Sequence, residues 1–203
     1  MRLPALLAAA AALAVPAAAL ALVAPPPPGP KGLEGVPIPQ VPVLVQPKAL
    51  RLGQAVDGIK CEAGEKALFH VHAHLAIFVN GKQRQVPFGI GIGPPWHGQR
   101  APAGAFVVQG SCFAWLHTHT ADGIIHVESP VERTFTLGQF FDVWGAKLSA
   151  TQVGPARGKV TALVNGKVRR GDPRSIVLAA HELIQLDVGT PVVGQQTVGF
   201  AKL

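Results

Sequence analysis

Tyrosine is absent from the 203-residue sequence, methionine occurs once, cysteine twice, and charged residues make up only 14% of the chain. Each shortage closes a class of function. The formal charge is +7, but the basic residues are scattered singly apart from Arg169-Arg170. With no basic tract, and no tyrosine on which bases could stack, the excess is read as solubility and not as nucleic-acid binding. The sole methionine is Met1, so no thioether remains to serve as the axial ligand of a blue-copper centre or in a Cu(I)-transfer site. No phosphate loop, nucleophile motif or cofactor fingerprint points to a particular substrate.

The chain opens MRLPALLAAAAALAVPAAALALVAPPPP, with Arg2 followed by an uncharged run of Ala, Leu and Val. These are the parts of a secretory signal peptide over residues 1–24, with Ala19-Leu20-Ala21 as a small-x-small cleavage site. A retained N-terminal anchor is the alternative, since the run approaches the ~20 residues that span a bilayer. In both cases the rest is expected outside the cytoplasm (periplasmic, secreted or cell-surface), with no membrane insertion beyond that segment. Residues 25–50 are too proline-rich for a helix or central strand and read as an extended linker. Residues 51–203 have the size of one domain with its own core. In an exported chain the two cysteines, Cys61 and Cys112, predict a disulfide.

Most of that domain reads as strand. Asn80-Gly81 and Asn165-Gly166, each inside V-N-G-K, are hairpin turns between apolar runs. "GIGIGPPWHGQRAPAG" reads as a glycine- and proline-rich loop. One short helix is expected near 137–144, with Thr136 as N-cap, Gln139 completing a capping box and Gly145 as the stop. The fold class is therefore mainly β within α+β, an antiparallel sandwich or a barrel-like domain.

Six of the eight histidines occupy two short stretches. His70, His72 and His74 alternate along one strand and share a face, as do His117 and His119 on another. In "LHTHTADGIIHVESP" the Asp122-Gly123 pair marks a turn. A two-residue type I′ loop sets His119 opposite His126 and His117 opposite Glu128. A four-residue loop sets His117 opposite His126 and His119 opposite Ile124. Either even-length loop leaves His117, His119, His126 and Glu128 on one face, and only an odd loop with a bulge separates them. Apolar residues between the histidines predict that these strands are buried on both faces.

Imidazoles gathered in a low-dielectric setting lose their protonated forms and need partners for their nitrogens, which a divalent ion supplies several at a time. The candidate ligands are His72, His74, His117 and His119, then His126 and His70, with Glu128 as ligand, orienter of a ligand or general base. Nitrogen donors with one carboxylate suit a divalent transition metal, copper or zinc foremost, and argue against Mg²⁺ and Ca²⁺. The expected partner is thus a metal ion, held for storage, buffering or delivery. The alternatives are a metal-dependent hydrolase or oxygenase with Glu128 as base, and a metal-free structural module. His97 beside Trp96 is read as a loop residue that caps the site or stands in solvent, and His181 as a structural hydrogen-bonder.

On "LHTHTADGIIHVESP", "FTLGQFFDVWG" and "GDPRS" the chain resembles a group of exported bacterial and archaeal proteins of uncharacterised activity, from about His70 to Gly189. The H-x-H strands also look superficially like those of cupins, but no glutamate follows His72 or His74 at cupin spacing.

Overall fold

A computed structural model describes residues 21–203. Most of the signal-peptide reading, residues 1–20, lies outside the described residues. The centre of the fold is a seven-stranded sheet built from β1 (Phe69–Val79), β2 (Lys82–Arg84), β3 (Leu116–His117), β4 (Ile124–Ser129), β5 (Val160–Val164), β6 (Lys167–Arg169) and β7 (Leu183–Val188). Its order is β3-β4-β1-β7-β5-β6, with β2 folded back onto the end of β1. Every pairing is antiparallel except β7 with β1. The sheet does not close, so of the two expected architectures the barrel-like one does not occur.

The Asn-Gly turns arise as their chemistry demands. Asn80 and Gly81 take φ of 49° and 74°, and Asn165 and Gly166 take 49° and 79°, the two consecutive positive values that match a tight hairpin to strand twist. The helix α1 (Leu137–Trp144) begins at Thr136 with the capping box to Gln139 intact and ends at left-handed Gly145. Leu137, Phe140, Phe141 and Trp144 form one buried stripe and join a core that includes Ala73, Leu75, Leu116, Ile125, Val127, Ile184 and Leu186. That core occupies one face of the sheet. Each large side chain fully buried there contributes roughly 1.5–3 kcal/mol.

The opposite face carries the intervening residues of the same strands: His70, His72 and His74, then Ala76 and Phe78, with His126 and Glu128 on β4 and Gln185 and Asp187 on β7. It too is covered, as expected for strands apolar between their histidines. The cover comes from the chain ends. Leu22–Val23 pairs in parallel with Val192–Val193, and Val193 packs on Ala76 and Phe78. Residues 25–50, expected as a linker, lie against the domain, with Val36, Ile38, Leu44 and Leu50 buried. Proline removes backbone donors and fixes φ, but it does not prevent an extended segment from burying the Val, Ile and Leu between its prolines. Among the described residues no helix is long and apolar enough to cross a membrane.

A second sheet, ordered Ala55–Val56, Ile59–Glu62, Cys112–Ala114, Ile92–Gly93, leads into β3. The Cys61–Cys112 disulfide joins its two middle strands, with Cα atoms 5.4 Å apart. The glycine-rich stretch expected as a loop therefore contributes the strand Ile92–Gly93 and one arm of a hairpin, His97–Ala101 with Gly104–Gln109. Close approach explains its glycines: at Gly91, with φ of +72°, a Cβ would run into the Leu116 carbonyl oxygen and lie 3.0 Å from His117 Cβ.

Candidate metal centre

Three adjacent strands converge on the site through register. Glu128 lies opposite His70 and His126 opposite His72 across β4 and β1, and His117 lies opposite His126 across β3 and β4. The pairing of His117 with His126 is that of the four-residue loop, but the chain does not continue the ladder. After His117 it leaves β4: Thr118 N–H donates to Ile90 O, and Val107 N–H donates to His119 O. The connection spans residues 118–123 and closes at Gly123, where φ is +88° and a Cβ would collide with the Leu75 carbonyl oxygen. His119 is carried over the site instead of facing Ile124, with its ring centroid 4.5 Å from that of His126.

Two sets of donors form. His70, His72, His126 and Glu128 can bring four ligand atoms within 4.8 Å of one another, and so can His117, His119, His126 and Glu128. In the first set His70 Nε2 lies 3.0 Å from His72 Nε2, His72 Nε2 lies 3.1 Å from His126 Nδ1, and His70 Nε2 lies 3.1 Å from Glu128 Oε1. In the second, His117 Nε2 and His119 Nε2 are 3.1 Å apart. Donors 2.0–2.1 Å from a tetrahedral ion are separated by about 3.3 Å, so these spacings match the bite of one metal.

Backbone carbonyls fix two of the rings. His117 Nδ1 donates to Ala114 O at 2.9 Å, and His119 Nδ1 donates to Val107 O at 2.6 Å, with Phe106 stacked on the ring. The proton of each neutral ring is thereby held on Nδ1, and both Nε2 lone pairs face the cluster. Burial lowers the pKa of both, His117 well below the ordinary histidine value, and neighbouring imidazoles push in the same direction. Burial, then His126 and His70, brings His72 down to about 4.

His126 is the exception. Burial pulls its pKa down, but hydrogen bonds to Glu128 and Glu34 outweigh that and raise it to about 9. Its Nε2 donates to Glu34 Oε1 at 2.7 Å, and its Nδ1 lies 3.3 Å from Glu128 Oε1. In the absence of an ion an imidazolium occupies the centre of the cluster, clasped by two carboxylates. Both carboxyls are costly to bury, yet the imidazolium keeps their pKa values below the ordinary range.

Glu34 and a second carboxylate, Glu65, carry no mark in the sequence. Glu34 lies 92 residues from His126 in the proline-rich arm, and Glu65 Oε1 reaches within 3.4 Å of His119 Nε2. Burial, and then the charge of Glu128, raise the Glu65 pKa. Of the sequence candidates, His70, His72, His117, His119, His126 and Glu128 come together, whereas His74 does not join either set. It lies opposite Ile124, one pair beyond His126, and its Nε2 contacts Asp122 O at 3.1 Å. His97 is exposed on the 97–109 hairpin. His181 stacks on Phe200, and its backbone N–H donates to His72 O at 2.7 Å. A cleft of about 370 Å³ lined by Leu33, His70, His72, Phe106, Lys202 and Leu203 leads to the first set.

Comparison with family models, with curated proteins and with solved structures finds no match to this chain.

Proposed function

We infer that the protein binds a divalent transition metal, copper or zinc, in this buried cluster and stores, buffers or delivers it outside the cytoplasm. The observation that carries the reading is the 3.1 Å contact of His117 Nε2 with His119 Nε2. With both Nδ1 protons committed to carbonyls, two neutral rings turn lone pair against lone pair. Protonating one of them is opposed by burial. A cation between them converts the repulsion into two coordinate bonds, and neutral imidazole is the commonest ligand for such ions. Imidazole nitrogens with carboxylate oxygens favour copper or zinc over calcium or magnesium. Export is supported by the signal-like first 24 residues and by the disulfide, which persists in oxidising compartments.

Storage or delivery is preferred to catalysis because Glu128 Oε1 lies among ring nitrogens, 3.1 Å from His70 and 3.3 Å from His126, and is better employed as a ligand than as a base. Equilibrium dialysis against Zn²⁺ or Cu²⁺ with metal analysis tests the reading. At least one ion per chain is expected, with a sharp loss in His117→Ala/His119→Ala. A wild type that remains metal-free at micromolar ion sinks it.

A further inference from the structure

The donors do not surround a single point. Among the described residues, no group within 4.8 Å contains ligand atoms from both the His70/His72 pair and the His117/His119 pair. Two donors on one ion are never more than about 4.2 Å apart, twice the metal–nitrogen distance, so one ion cannot collect both pairs. What the two groups share is Glu128 and His126. Glu128 Oε1 faces both ways, 3.1 Å from His70 Nε2 and 3.9 Å from His117 Nε2. The ring of His126 stands between the pairs, with centroids 4.5 Å from His72 and 4.5 Å from His119.

We propose that the centre is dinuclear, with one ion on His70, His72 and His126, a second on His117 and His119, and the Glu128 carboxylate bridging them. The inference rests on the metal-binding reading above and adds a stoichiometry and a bridge to it. Assignment of His126 to the first ion follows from its Nδ1, which lies 3.1 Å from His72 Nε2, while its Nε2 is engaged by Glu34. That leaves the second ion with three donors, His117, His119 and Glu128. Bridged ions of this kind sit about 3.5–4 Å apart, close enough for two Cu²⁺ spins to couple.

The test loads the full chain with excess Cu²⁺ or Zn²⁺, removes free ion, and reads metal per chain by elemental analysis and native mass spectrometry. Two ions per chain are expected, and the Cu²⁺ form should have an EPR signal well below two spins because the pair is coupled. His70→Ala/His72→Ala and His117→Ala/His119→Ala should each retain one ion, and the remaining Cu²⁺ should then give a full one-spin signal. Glu128→Gln should remove the coupling. One ion in the wild type, or two with full uncoupled intensity, overturns the bridged pair while leaving metal binding intact. No ion at all overturns both. Because the decisive count is made on the wild type, a variant that fails to fold does not rescue the proposal.

Discussion

Glu34 Oε1 lies 2.7 Å from His126 Nε2, so a residue of the proline-rich arm holds the histidine at the centre of the cluster. A carboxylate that accepts the far N–H of a ligating imidazole fixes its orientation and raises its basicity. Glu34→Gln keeps the shape and weakens that hold. Metal affinity is expected to fall roughly 10–100-fold, the usual cost of losing such a partner. Competition against a chelator of known affinity checks it, and an unchanged affinity means that Glu34 only neutralises charge in the metal-free state.

The same arm makes a stability prediction. Ile38 is 2% exposed and packs with Ala103 and Ala121, next to the 118–123 connection. Ile38→Ala should cost about 2–5 kcal/mol in denaturant unfolding, the range for a buried aliphatic truncated in a core. A free linker would give a change within about 0.5 kcal/mol, the scale of surface substitutions.

Local features were legible in the sequence and distant pairings were not. The turn parity that gathers His117, His126 and Glu128 is a property of about a dozen consecutive residues, and side-chain alternation in a strand is geometric. The capped helix and the Asn-Gly hairpins are local in the same sense. Which strand lies beside β4, and in what register, depends on packing across 54 residues, the separation of His72 from His126. His74 shows the difference. Its alternation with His72 is right, but a position two residues further along β1 falls opposite Ile124 and outside the cluster. Glu34 and Glu65 stand in stretches with no periodic signal; the folding of the arm over the histidine face gives Glu34 its partner His126, and the segment before β1 brings Glu65 to His119.

The disulfide should matter for the site as well as for the fold. Cys112 lies five residues before His117, on the strand that leads into β3. Closing a loop of 51 residues between Cys61 and Cys112 restricts the unfolded chain by about 4 kcal/mol in the loop-entropy account. Cys61→Ser/Cys112→Ser is expected to lose most of that in chemical unfolding and to bind metal more weakly, by dialysis, at temperatures where the wild type is saturated.

Metal should appear directly in thermal stability. An ion bound only by the folded chain adds about 2.7 kcal/mol when its free concentration is 100 times the dissociation constant. Adding Zn²⁺ to chelator-treated protein should therefore raise Tm by several degrees, and EDTA should reverse the rise. In His117→Ala/His119→Ala the increment should shrink and that of His70→Ala/His72→Ala should shrink similarly. Loss confined to one pair would mean that only that pair holds an ion.

His74 gives the metal-free protein a pH dependence of defined sign. The ring is buried, and that burial, opposed by a hydrogen bond with Asp122 O, sets its pKa at about 4, against about 6.5 for an unfolded histidine. Below pH 6.5 the unfolded chain takes up a proton that the folded chain refuses, so stability falls as pH drops from about 6.5 towards 4. This one ring can contribute a slope of up to about 1.4 kcal/mol per pH unit across that window, or roughly 3 kcal/mol in all. His126 acts in the opposite sense: with its pKa raised to about 9, its contribution is fully present below 6.5 and lost as pH rises through 9. Urea unfolding in the presence of EDTA, at intervals from above pH 9 down to pH 4.5, separates the two. His74→Asn cannot titrate, so its stability should fall less steeply with acid than that of the wild type, by about one proton's share. Parallel curves would mean that His74 is already protonated in the folded chain.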